Sequence, residues 1–177
     1  GAEILPSLLV WTLKAKDVKT GKRKKKLRVT ACGNFSRQVF PDLSTSNLDA
    51  VALRVLLAMG AAEGLPITIA DIRTAFLNSA LNMQHRPFAI RAPAALIQLG
   101  LIDPNTFYMI DKAMYGLAQS PREWGATRDR RLRSTRVTAA DGEEFYLQQM
   151  TEEALWAIMS TKGGRVGVLA TYVDDLI

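Results

Sequence analysis

Apolar and polar residues alternate over residues 8–16 and again over 26–31, and the stretch between them carries Asp17, Thr20 and Gly21. Alternation at period two marks a half-buried strand, and a Gly-containing break between two such runs marks a turn. This predicts a β-hairpin with a strongly basic tip. Residues 35–45 show no period. Val51, Leu53, Leu56, Leu57 and Met59 then recur at helical spacing, with Ser46 or Asn47 placed to cap the helix and Gly64 and Pro66 to end it. Residues 67–71 (Ile-Thr-Ile-Ala-Asp) read as a short strand ending in an acid. Residues 72–81 read as a short helix or turn, 87–93 as extended, 94–100 as a short helix and 107–110 as a strand. Ser120-Pro121-Arg122-Glu123 has the form of a capping box with Pro at the first helical position. The helix it opens puts Trp124, Arg128 and Leu132 on one face. Asp141-Gly142 is a turn, 145–149 and 154–159 are strands, and 161–164 is a tight turn into a strand over 166–173. The predicted class is α+β with an antiparallel sheet at its centre.

The last of these strands delivers Asp174 and Asp175, and the strand at 67–71 delivers Asp71. An apolar run calls for burial, whereas adjacent carboxylates repel and resist it. A solvated turn is one resolution of the Asp-Asp pair. A divalent cation is the other, because Mg²⁺ takes oxygen ligands and needs few protein carboxylates. Two strand-terminal acids far apart in sequence converge when their strands neighbour each other in one sheet, and convergence is what a two-metal site needs.

At 177 residues the chain is one domain, or one domain and part of another. Its apolar fraction supports a real core, and no stretch has the length needed to span a membrane. The lone Cys32 forms no internal disulfide framework and reads as a small half-buried residue. The lone His85, read as a surface-loop residue, cannot build a His-rich metal site. The start lacks Met, as expected of a segment from a longer product. The net charge of +6 is concentrated over residues 14–28 and in Arg122, Arg128, Arg130, Arg131, Arg133 and Arg136. Such clustering favours a polyanion partner; a solvated basic loop and an exposed helix face are the alternatives.

Three segments carry a family resemblance. Ile69-Ala70-Asp71-Ile72-Arg73-Thr74-Ala75-Phe76-Leu77-Asn78 resembles the first catalytic motif of copia-type LTR-retrotransposon reverse transcriptases. The run from Lys112-Ala113-Met114-Tyr115-Gly116-Leu117 to Pro121-Arg122-Glu123-Trp124 resembles their KALYGLKQAPRxW segment, and Tyr172-Val173-Asp174-Asp175 their YVDD box. The resemblance implies a right-handed polymerase fold with an RNase H domain downstream. Residues 1–66 and 80–120 would be fingers-like, and 67–79 and 121–177 palm-like. The thumb and RNase H are absent, as is the strand returning from the YVDD turn. It further implies RNA-directed DNA polymerase activity with two Mg²⁺ ions, or Mn²⁺ in their place. Asp71 and Asp174 would be principal ligands, Asp175 a less direct third acid, and the Ile72 backbone a further ligand. Thr74 and Ala75 would offer amides to the incoming triphosphate, and Phe76 would be the steric gate. Tyr115 and Gly116 would flank the nascent base pair, with Gly permitting close approach, and Lys26 and Arg28 would clamp the triphosphate. Lys24, Lys25, Ser120, Pro121, Arg122 and Tyr172 would meet nucleic acid. Implied partners are dNTPs, an RNA or DNA template–primer and the rest of a polyprotein including integrase; the implied location is intracellular, in a cytoplasmic particle or the nucleus. Cys32, Ala118 and Ser79 depart from the family's usual residues, and none of them is an implied metal ligand.

Two further readings stand beside this one. A degenerate fragment that binds nucleic acid at most fits the lack of a thumb, and on that ground the isolated chain is expected to be inactive alone. A two-metal nuclease or integrase core shares the acids but has no use for the block from Tyr115 to Trp124.

Overall fold

The computed structural model describes residues 1–81 and 86–177; His85 lies outside the described residues. In chain order the strands are β1 (Glu3–Leu5), β2 (Ser7–Lys16), β3 (Arg23–Ala31), β4 (Ala70–Asp71), β5 (Phe88–Arg91), β6 (Phe107–Ile110), β7 (Arg136–Thr138), β8 (Glu144–Gln149), β9 (Leu155–Ser160), β10 (Arg165–Tyr172) and β11 (Asp175–Leu176). The α-helices are α1 (Ala50–Ala62), α2 (Ala94–Gln98) and α3 (Ser120–Ser134). The chain divides into two compact units, Gly1–Leu43 with Phe76–Glu123, and Ser44–Ala75 with Trp124–Ile177. The class is α+β, as the pattern predicts.

In the first unit β2 and β3 form the expected antiparallel hairpin, with Arg28 opposite Val10 and Lys26 opposite Thr12. Its turn is closed by Asp17, whose carboxylate accepts from the amides of Lys19 and Thr20. These bonds, that of the Thr20 amide first, hold the Asp17 carboxyl below its ordinary pKa. A second sheet runs β1-β5-β6, with β1 parallel to β5 and β6 antiparallel to it. β5 is the central strand, which is why Phe88, Ala89 and Ile90 are all buried. β1 is too short for its period to be read from sequence.

In the second unit α1 is capped by Asp49, whose side chain accepts from the amides of Val51 and Ala52. Neither Ser46 nor Asn47 caps it; both have other partners, described below. Its C-terminus closes as expected at Gly64 (φ +66°), with the Leu65 amide donating to Gly60 and the Gly64 amide to Ala61. Leu48, Ala154 and Ala170 are buried together, with Leu53, Leu56, Leu155 and Ile177 packed against them. The sheet has the order β4-β11-β10-β9-β8-β7, antiparallel throughout. Two expectations change here. The strand foreseen over 67–71 is only Ala70–Asp71, and the returning strand after Asp174, foreseen as missing, is present as the two-residue β11.

Candidate metal centre

β10 is fixed by its last buried residues. Ala170 and Thr171 are fully enclosed, and the Thr171 amide and hydroxyl both donate to the Ala154 carbonyl, at 2.9 and 3.2 Å. The strand ends at the exposed Tyr172, the chain turns through Val173 and Asp174, and β11 returns with Asp175 opposite Tyr172. On its other edge β11 pairs with β4, which sets Asp175 directly opposite Asp71. The Ile72 amide donates to the Asp174 carbonyl at 2.8 Å and pins the turn to the chain beyond β4. The acids therefore meet by a route the sequence does not give: β4 and β10 are not neighbours, because β11 lies between them.

Asp71, Asp174 and Asp175 each offer one carboxylate oxygen, and these atoms all lie within 4.8 Å of one another. Asp71 is exposed, and the other two are half-buried. Among the described residues no other group of three or more acids, histidines or cysteines is this close. Ionised carboxylates only accept hydrogen bonds, and like charges directly opposite on paired strands destabilise the sheet. A hard divalent cation resolves both problems, so an all-oxygen donor set of this kind fits Mg²⁺ or Mn²⁺. The family model described as "Reverse transcriptase (RNA-dependent DNA polymerase)" matches residues 2–177. The chain belongs to this reverse transcriptase family. No curated protein and no solved structure matches it. Membership implies binding of a nucleic-acid template–primer and dNTPs, and the family uses divalent metal, which this acidic group could hold. No helix among the described residues is long and apolar enough to cross a membrane.

The first unit of the chain brings together several of the other expected residues. Phe76 is buried and meets Tyr115 edge-on, with ring centroids 4.7 Å apart. The Arg28 guanidinium lies over the same tyrosine ring at 5.5 Å, a cation–π contact. Lys26 sits two residues before Arg28 on the same strand face and is half-buried like it, while Lys24 and Lys25 are exposed. Gly116 (φ +95°) is also in close approach, but to protein: a Cβ there would overlap the Ala31 carbonyl oxygen. Ser120 is buried, and its hydroxyl donates to the Met114 carbonyl at 2.7 Å and accepts from the Met114 amide at 3.0 Å. It ties down the Tyr115 segment, and the Glu123 amide, expected to donate to the Ser120 hydroxyl, donates instead to the Gln119 carbonyl. Pro121 and Arg122 are exposed, with Arg122 in a surface ion pair with Asp42 at 3.4 Å. In the second unit Thr74 has φ +51°, uncommon for a β-branched residue, and Ala75 is buried.

The second basic cluster is divided between the fold and the surface: Arg128 is buried, and Arg122, Arg130, Arg131, Arg133 and Arg136 are exposed. Arg128 is buried against Asp129 at 2.9 Å. Arg133 lies over the Trp156 ring at 5.6 Å and Arg136 over the Tyr146 ring at 5.2 Å.

Proposed function

We propose that this chain is the fingers-and-palm part of a copia-type LTR-retrotransposon reverse transcriptase. It would extend a primer 3′-hydroxyl on an RNA or DNA template by nucleotidyl transfer from a dNTP. The observation that carries the reading is the convergence of Asp71, Asp174 and Asp175 within one family match. Asp71 and Asp174 are the principal holders of two Mg²⁺ ions, with Asp175 and the Ile72 backbone supporting them. Bound there, the ions supply Lewis-acid chemistry: a lowered pKa for the 3′-hydroxyl and neutralisation of triphosphate charge. The chain's own part is position and field. In this reading residues 1–66 and 80–120 act as fingers and 67–79 and 121–177 as palm, with α1 clustering with the acid-bearing unit. The polypeptide works beside a thumb, an RNase H domain and an integrase, in a cytoplasmic particle or the nucleus. The test is primer extension by the chain joined to the sequence that follows it in its reading frame, with Asp174→Asn as control. Equal, near-background signals would leave a non-catalytic nucleic-acid binder as the surviving reading.

Phe76 is the sugar gate, Tyr115 and Gly116 border the nucleotide site, and Lys26, Arg28 and the Thr74 and Ala75 amides face the triphosphate. The Tyr115 ring contacts both the Arg28 guanidinium and the Phe76 ring. Phe76→Val keeps an apolar side chain in a buried place and removes the flat ring. It is expected to raise ribonucleotide incorporation relative to deoxyribonucleotide by about tenfold or more. Steady-state kcat/KM for the two sugars measures this, and unchanged discrimination would remove Phe76 from the role.

Lys24 and Lys25, with Lys26 beside them, lie on one strand of a ribbon whose tip is exposed and meet the template backbone in this reading. Pro121, Arg122 and Tyr172 are the other exposed groups that would meet it; the internally bonded Ser120 sets the start of the helix that carries Pro121 and Arg122. Changing Lys24, Lys25 and Lys26 together to Ala is expected to weaken template binding alike for all sequences. The slope of log K against log salt should flatten by roughly 0.7–0.9 for each phosphate that the variant no longer neutralises. A slope equal to the parent's would take the hairpin off the template-binding surface.

A further inference from the structure

Val173 has φ +52°. A β-branched residue is a genuine outlier in that region, and the first loop position of a two-residue hairpin with φ > 0 is where glycine is ordinarily found. Such a conformation persists only where the surroundings over-determine it. They do so here from two sides. The Trp124 indole Nε1–H donates to the Val173 carbonyl at 2.7 Å, and the Val173 amide donates to the Asn47 Oδ1 at 3.2 Å. Both backbone polar groups of the strained residue are thus taken by side chains from outside the hairpin. Trp124 is almost fully buried, so its ring has one place to be. Asn47 is exposed, yet its neighbours are fixed. The Ser46 carbonyl accepts from Arg128 at 3.1 Å, and the Leu48 amide donates to the Thr171 carbonyl at 3.2 Å. Arg128 stands one helical turn after Trp124 on α3, where it is buried and neutralised by Asp129.

We propose that α3 clamps the acid-bearing turn at two points, directly through Trp124 and indirectly through Arg128, Ser46 and Asn47, so that Trp124 and Asn47 are positioning residues for Asp174 and Asp175. This rests on the metal-site reading above. Relaxation of Val173 to negative φ would rotate the chain that follows it, which carries Asp174 and Asp175. The clamp keeps them facing Asp71 at the cost of strain in one residue. It also accounts for Asn47 leaving the capping of α1 to Asp49.

The variants are Trp124→Phe, which removes the donor and keeps most of the ring, Asn47→Ala, which changes an exposed residue, and Val173→Gly, for which positive φ costs nothing. Two readouts are taken on the full chain: hydrogen exchange at the Val173 and Ile72 amides, and binding of Mn²⁺ alone by water-proton relaxation. Trp124→Phe and Asn47→Ala are each expected to speed exchange at those amides by about tenfold and to weaken Mn²⁺ by a similar factor, as loss of outer-shell partners does. Exchange elsewhere in β9 and β10 should hold steady. Val173→Gly added to Trp124→Phe should shrink both penalties, because the clamp then has no strain to oppose. Unchanged exchange at Val173 and Ile72, acceleration spread equally over the whole sheet, or an undiminished penalty in the glycine background would overturn the clamp. A parent chain that binds no Mn²⁺ would strike the metal-site reading instead, and the exchange rates would still decide the clamp.

Discussion

Asp174→Asn is expected to reduce primer extension by about a thousandfold or more while leaving the fold intact. The substitution is nearly isosteric, and the Asp174 carbonyl keeps the bond it accepts from the Ile72 amide, so the turn retains its backbone partners. What is removed is one negative charge from a trio whose oxygens lie within 4.8 Å. A neutral amide in that place competes poorly for a hard cation. The size of the effect follows from the role: when groups act as one unit on the transition state, removing one costs about as much as removing several. A second change, Asp71→Asn in the same chain, should therefore lower activity little further. The control lies in stability without metal. Asp175 stands directly opposite Asp71 with Asp174 beside them, and like charges so placed destabilise. In a chelator the variant should be as stable as the parent or more so, by roughly 0.2–1 kcal/mol. Thermal unfolding with and without Mg²⁺ measures this. Abolished activity together with a marked drop in stability in chelator would mean that Asp174 serves the fold and not the chemistry.

The parts of this molecule legible in sequence are those whose signal is local. Period-two alternation finds the hairpin, short apolar runs between turn residues find β6, β8, β9 and β10, and Gly64 finds the end of α1, because side-chain direction and left-handed backbone are decided within a few residues. The acids were legible as a group in need of convergence. The route was not, since β11 is two residues long and its pairing with β4 is a tertiary fact with no period to betray it. Polar side chains with two eligible partners misled in the same way. Ser120 has the local form of a helix cap and spends its hydroxyl on Met114; Asn47 has it and spends its carbonyl on Val173. Of the arginines in and just beyond α3 only Arg128 is withdrawn from the surface; Arg133 and Arg136 stay exposed while lying over aromatic rings, a division that charge alone does not show. Nothing in a valine announces positive φ, so the clamp on Val173 has no sequence signal beyond the presence of Trp124.

Gly116→Ala is expected to cost more than about 4 kcal/mol of stability, in the exceptional range for a point substitution. Two independent effects add. The residue has φ +95°, where an L side chain is strained. An added Cβ would also overlap the Ala31 carbonyl oxygen and stand only 2.9 Å from its carbon. Those are backbone atoms of β3, so no rotamer change relieves the clash. The same approach is used from the other side. The Ala31 amide donates to the Tyr115 carbonyl at 2.9 Å, the Gly33 amide to the Gly116 carbonyl at 3.1 Å, and a Cβ on Gly33 would overlap that oxygen. Pushing the two segments apart breaks both bonds and carries Tyr115 away from Arg28, which β3 holds over its ring. Urea unfolding of parent and variant measures the cost. If Gly116 were small only to let a nucleotide approach, the alanine variant would unfold at the parent's urea midpoint and show its defect in KM for dNTP alone. The geometry at Ala31 requires the opposite order: the folded state fails first, and any change in KM for dNTP follows from that loss.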